Sequence, residues 1–252
     1  MTGWSAAGLL FVVMSPRLLA IGMVAVAALT AATPAAAGKP ATLMAEYNFD
    51  AVHQDTVVDL TGRGHALSLG GNWSHSNGVS TPAVSFDPVS LGNSPSRSDL
   101  NSGFREFAIT MVFRLPGDTS QLPDTPNIVQ KGFWGDAGQW KMQLKPKTAA
   151  IQCRFQGTVD ARLVTSQVAD VDDGEWHMAT CWRDGTLLGV TVDGVTDELT
   201  ASVGDISNGR PLRVGAKNLS STTDQFTGAL DYVALAFGDG AIALSQEAAP
   251  LP

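Results

Sequence analysis

The sequence predicts an all-β protein, folded as one antiparallel sandwich. Three observations carry this. Short runs of alternating apolar and polar residues recur from Leu43 onward, bounded by Gly, Asp, Asn or Pro, which is the period of a half-buried strand. No window from Lys39 to Pro252 keeps an apolar i, i+3, i+4, i+7 stripe for three turns. Helices therefore do not alternate with the strands, and a parallel α/β sheet is not expected. The 26 glycines and 13 prolines supply the turns that such a chain needs.

Taken in order, Leu43–Phe49 opens the domain, followed by His65–Leu69 and Ala83–Phe86. Phe107–Arg114 alternates cleanly and is expected to bury Phe107, Ile109, Met111 and Phe113 on one face. Asn127–Gln130, Trp140–Leu144, Ala149–Phe155 and Ala161–Thr165 continue the pattern. Trp176–Trp182 and Leu187–Val192 flank Arg183-Asp184-Gly185-Thr186, a hairpin turn in which Gly185 takes a positive φ. Asp193-Gly194 closes the second strand in the same way, and Leu212–Val214 and Phe226–Phe237 complete the series. Residues 87–104 form the longest irregular stretch, and residues 241–252 form a C-terminal tail.

Charge and leader narrow the setting. Residues 1–37 carry one charge, Arg17, followed by an apolar run from Leu18 to about Ala32 and the small residues Ala35-Ala36-Ala37. That is the layout of a secretory signal cleaved near Ala37, with Met14 an alternative start and a membrane anchor the competing reading. The protein is then expected outside the cell, free of the membrane after cleavage, and monomeric. Its formal charge of −8 argues against nucleic acid, which needs a basic face. A secreted chain with two cysteines, Cys153 and Cys181, points to one disulfide between two strands, with two buried thiols as the alternative.

Several motifs in order resemble the laminin-G-like jelly rolls of the concanavalin A-like lectin and glucanase superfamily. Tyr47-Asn48-Phe49-Asp50 followed by Val58-Asp59-Leu60-Thr61-Gly62-Arg63-Gly64 is similar to the family's opening strand and turn. Asn127–Gly132 resembles its mid-domain strand, and Asp173-Gly174-Glu175-Trp176-His177 with Val190–Gly194 resembles its central hairpin. Phe226-Thr227-Gly228-Ala229-Leu230-Asp231-Tyr232-Val233 resembles its last core strand. The resemblance covers 47–237 and implies two stacked, curved sheets over residues 38–240, in a secreted bacterial type of domain. Trp176 is expected in the core or along its edge, and His177 as a structural or surface histidine.

The resemblance also frames the chemistry. Family glycosidases carry closely spaced glutamates on one strand. Here Glu46, Glu106, Glu175, Glu198 and Glu247 are all far apart, so catalysis is not expected. The run Asp170-Val171-Asp172-Asp173 reads as a solvated turn. A structural calcium is implied, with Asp231 as its main ligand, Asp50 as a second, and Gly70 or Gly71 lending carbonyls. Trp134, in the loop Phe133–Trp140, and Trp73, in a second loop, are the aromatics suited to stacking on sugar rings. The expected function is recognition of a glycan or an extracellular protein through a concave sheet face or its loops. A structural or adhesion role in a cell-surface assembly is the alternative, and a hydrolase or lyase the second.

Overall fold

The computed structural model describes residues 38–252 apart from Gln121, Pro123 and Thr222. The leader expected over residues 1–37 lies outside the described residues. The early strands are β1 (Thr42–Tyr47), β2 (Val52–His53), β3 (Thr56–Val57), β4 (Leu67–Asn77) and β5 (Pro82–Ser94). The middle strands are β6 (Phe107–Arg114), β7 (Asn127–Lys131), β8 (Trp140–Lys145), β9 (Ala150–Gln156) and β10 (Ala161–Thr165). Then come β11 (Trp176–Asp184), β12 (Leu187–Val192), β13 (Val195–Thr200), β14 (Leu212–Val214), β15 (Gly228–Phe237) and the helix α1 (Ala241–Glu247).

The hydrogen-bonded order is β10-β9-β8-β7-β14-β5-β15-β6-β11-β12-β13, with β1 on β15 and β4 on β5. Strand β5 serves both layers. Its residues Gly92–Ser94 pair with β14, and Val84–Phe86 pair with β15. The two layers then close on each other, so that Phe107, Met111 and Phe113 of β6 share one core with Val129 of β7, Met142 of β8 and Phe155 of β9. This is the sandwich that the alternation predicts, made from sheets that share a strand.

The bend in β5 has a local cause. Gly71 pairs with Ser90 and Trp73 with Phe86, so Asn72 alone faces Asp87, Pro88 and Val89. Pro88 has no N–H to give the ladder, which confines it to such a bulge. The Ser90 hydroxyl donates to the Asp87 carbonyl at 2.6 Å, and the Asn72 amide donates to the Pro88 carbonyl at 3.2 Å. Val89 sits at φ 69° and Gly71 at φ 83°. A Cβ on Gly71 would overlap the Val89 carbonyl oxygen, so only glycine fits there.

Two expectations are corrected here. The stretch from residue 87 is not irregular at its start, because β5 continues through the bulge to Ser94. Trp73 is not in a loop; it lies on β4, half-buried against the main core and edge-on to His75 at 5.4 Å. The expected tail contains α1, which packs on the outer side of β6 and β15 through Ala241 against Ala108 and Ala236. Beneath it, Thr110 Oγ1 lies 2.9 Å from both Thr180 Oγ1 and Ser245 Oγ.

Cys153 of β9 and Cys181 of β11 form the disulfide and so fasten one layer to the other. Their sequence separation of 28 puts its contribution at about 3–4 kcal/mol on the chain-entropy account. Reduction should therefore lower the unfolding free energy by about that amount in urea titrations. Gly71→Ala should cost about 2–4 kcal/mol, from a left-handed backbone plus a clash. Gly135→Ala, where a Cβ meets nothing within 4 Å, should change stability by less than about 0.5 kcal/mol. Equal losses for the two glycine variants would show that the bulge does not constrain β5.

Candidate functional site

Strands β7, β8, β9 and β14 alternate between two very different faces. Val129, Met142, Cys153 and Val214 turn into the core. The residues between them turn away from it and line up in register: Arg213 opposite Gln130, Gln130 opposite Lys141, and Lys141 opposite Arg154. A second row runs from Asn127 through Gln143 and Gln152 to Thr165. Several of these outward side chains are nonetheless nearly dry, Gln130 at 3%, Lys141 at 8%, Gln143 at 4% and Arg154 at 5% exposure, while Arg213, Gln152 and Thr165 are half-buried. Loops lie against two sides of this face and cover part of it.

One wall is the Phe133–Gln139 loop. Its turn is set by Asp136, whose backbone N–H donates to the Phe133 carbonyl at 2.9 Å and whose carboxylate accepts the Phe133 N–H at 2.8 Å. Arg210 clamps the same carboxylate with two bonds of 2.8 and 3.0 Å. The loop presents Trp134 at 63% exposure, with the Arg154 guanidinium 3.9 Å from its ring centre and Lys141 Nζ at 5.8 Å. The opposite wall is the segment after β14, where Arg213 donates to the Lys217 carbonyl and Lys217 pairs with Asp224 at 2.8 Å.

Burial dominates the electrostatics of this face. It pulls Lys141 down to about 8; the Asp224 charge opposes this, while Arg154 and Lys217 add to it. Burial also lowers Arg154 and, together with the nearby Arg210 charge, Arg213. The sequence reading did not pick out this face. Its signal was present, in the alternation of Lys141 and Gln143 with Trp140, Met142 and Leu144, and of Gln152 and Arg154 with Ile151, Cys153 and Phe155.

The second group lies at Asp231 and Asp50. Asp231 is 2% exposed on β15, and its Oδ2 accepts the Val79 N–H at 3.4 Å. Its Oδ1 and the Oδ1 of Asp50 are buried and have no hydrogen-bond partner. Burial raises the Asp231 carboxyl; the Val79 N–H works against this, and the charge of Asp50 adds to it. Two orphaned acidic oxygens with mutual repulsion fit a hard cation. No cluster of three or more His, Cys, Asp or Glu able to hold a metal occurs among the described residues, so any cation would also draw on backbone carbonyls. The turn that lies against Asp231 is Gly78–Thr81, at the tip of the β4–β5 hairpin. Gly70 and Gly71, expected to lend carbonyls, instead pair with Leu91 and Ser90 further along that hairpin.

The motif residues have plain structural roles. Trp176 packs along the outer face under the Arg114 guanidinium, 4.8 Å from its ring centre. His177 contacts Asp193 at 2.7 Å through Nδ1 and Asp173 at 3.0 Å through Nε2. In the acidic run, Asp172 accepts the Thr119 N–H and hydroxyl, and Asp173 also caps the Glu175 N–H. Asp59 organises the opening turn by accepting from the N–H groups of Glu46, Thr61 and His65.

With this geometry in view, the comparisons place the chain. A laminin-G model described as concanavalin A-like lectin/glucanases superfamily matches residues 98–237, more than half of the 252 residues. The chain belongs to that superfamily. None of the curated proteins matches it. Among solved structures, the binding domain of Paraclostridial Mosquitocidal Protein 1 aligns with TM-score 0.61 and 16% identity, covering 77% of this chain and 48% of that one. Domain 4 of AbnA, a GH43 extracellular arabinanase from Geobacillus stearothermophilus in complex with arabinotriose, aligns with TM-score 0.55 and 16% identity over 79% and 94%. The botulinum neurotoxin serotype D binding domain aligns with TM-score 0.56 and 10% identity over 77% and 47%. The chain thus spans about half the length of the toxin binding domains that it matches.

The His177 pair predicts a pH dependence. Burial opposes the charged ring, but hydrogen bonds to Asp193 and Asp173 outweigh it, and His177 is held above its ordinary value. Its contribution is full below the unfolded value of about 6.5 and fades as pH rises through the higher folded one. His177→Gln should therefore lose more unfolding free energy, relative to the unaltered protein, at mildly acidic than at alkaline pH. Urea titrations showing the same loss at both would mean that the imidazolium contributes nothing.

Proposed function

We propose that this protein is a non-catalytic module that binds glycan outside the cell, on the polar outer face of β7, β8, β9 and β14. The observation that carries the reading is Trp134, a flat ring 63% exposed at the lip of a row of side chains rich in hydrogen-bonding groups. Sugar recognition needs that pairing: an aromatic face for the ring's C–H surface and fixed polar groups for its hydroxyls. Gln130, Gln143 and Gln152 are amides, able to donate and accept, and their positions are set by strands rather than by loops. The disulfide between Cys153 and Cys181 supports an oxidising, extracellular setting. The arabinanase domain that shares the fold was solved with arabinotriose, which supports a saccharide as the ligand class.

Asp231 and Asp50 hold a structural calcium in this proposal. The ion would answer the two buried oxygens that lack partners and would join β15, the segment after β1 and the β4–β5 turn. It would supply charge neutralisation and no chemistry of its own.

Trp134→Ala should weaken binding on a glycan array or by calorimetry by about ten-fold or more, with the melting temperature unchanged. Unchanged binding would remove Trp134 from the site. Millimolar calcium should raise the melting temperature, and Asp231→Asn should abolish that rise. A melting temperature indifferent to both calcium and chelator would remove the metal.

A further inference from the structure

The outward row of β7, β8, β9 and β14 carries three cations that make no direct ion pair among the described residues. Arg213 of β14, Lys141 of β8 and Arg154 of β9 stand in one register row with Gln130 of β7 between the first two. Acids are in excess in this protein, 24 Asp and Glu against 16 Lys and Arg. Yet none of the three cations ion-pairs with a carboxylate among the described residues. The nearby acids make their ion pairs elsewhere, Asp136 with Arg210 and Asp224 with Lys217, each at 2.8 Å, and Asp224 reaches Lys141 only through its longer-range charge.

The three cations bond only to neutral acceptors. Lys141 Nζ donates to Asn127 Oδ1 at 2.9 Å, Arg154 to Gln139 Oε1 and the Trp134 carbonyl, and Arg213 to the Lys217 carbonyl. Two further donors in the row, Arg213 Nε and Gln130 Nε2, are buried with no acceptor. Desolvated like charges side by side destabilise a fold unless an opposite charge arrives. The row spans three strand spacings, about 14 Å, which suits a chain of linked units better than a single small anion.

Resting on the glycan reading above, we propose that the saccharide is acidic. Its uronate carboxylates or sulfate groups pair with Arg154, Lys141 and Arg213 while a sugar ring stacks on Trp134. Guanidinium groups suit this, since their planar donors meet a carboxylate or sulfate in a two-bond fork. The Trp134 ring lies over Arg154, so stacking and charge recognition would act on neighbouring units of one polymer.

The test uses matched pairs that differ in charge alone: oligogalacturonate against its methyl ester, and dextran sulfate against dextran, titrated calorimetrically onto the unaltered protein. The charged member of a pair should bind about ten-fold tighter or more, with the preference shrinking as salt is raised. Arg154→Gln and Lys141→Gln should each remove most of that preference without lowering the melting temperature. The salt titration needs no variant, so it decides the matter even if a substitution unfolds the domain. Equal affinity for charged and neutral members would overturn the acidic ligand and leave the glycan reading standing. A module that binds no member of either pair and no arrayed glycan would overturn both. Competition by duplex DNA or an acidic peptide as effective as the sugars would make the row a general anion surface and overturn the saccharide assignment.

Discussion

The structure depends on one strand serving two sheets. Strand β5 runs for 13 residues, turns from one layer to the other along its length, and its ladder with β4 breaks on the way. The break falls where Asn72 alone faces Asp87, Pro88 and Val89. On one side of it, β5 supports β15, which carries Asp231; on the other, it supports β14, which carries Arg213. Both candidate sites therefore hang from the same kinked hairpin. The disulfide from β9 to β11 then ties the layers again at a second place, remote from the kink in sequence.

Much of the fold was legible because alternation and turn chemistry agree. Phe107–Phe113 reads as a strand with a fixed inner face, and that face lines the main core, although Ala108, Thr110 and Val112 on the other side are buried as well. Gly185 and Gly194 mark hairpins and adopt φ 56° and 81°. The reading failed where a local rule had two meanings. Asp87-Pro88 looks like the end of a strand, yet a bulge uses the same missing N–H without ending anything. Gly70-Gly71 looks like a loop, which sent Trp73 to the wrong environment. Helix α1 is a turn or two long, too short for a periodic stripe, and is held by the sheet beneath it rather than by its own propensity.

The sites were legible to different depths. Asp231 and Asp50 came from a family resemblance, and the orphaned oxygens give that pair a physical reason. The polar row was overlooked because Lys, Gln and Arg between apolar residues describe any solvent-facing side of an antiparallel strand. Only the loops that pack beside it take water from such a side, and which loop lies there has no signature in a single strand's sequence. Trp134 was noticed for the opposite reason, since a large aromatic in a Gly-rich loop calls for an explanation wherever the loop falls.

The Phe133–Gln139 wall joins β7 and β8, two strands that are already neighbours in the sheet. Its ends are pinned whatever its length, so doubling the loop would add only about 0.6 kcal/mol of closure entropy. The chemistry of this loop and the load it places on the fold are thus nearly uncoupled. A lineage built on this scaffold can change the length and chemistry of this loop while every core contact stays as it is.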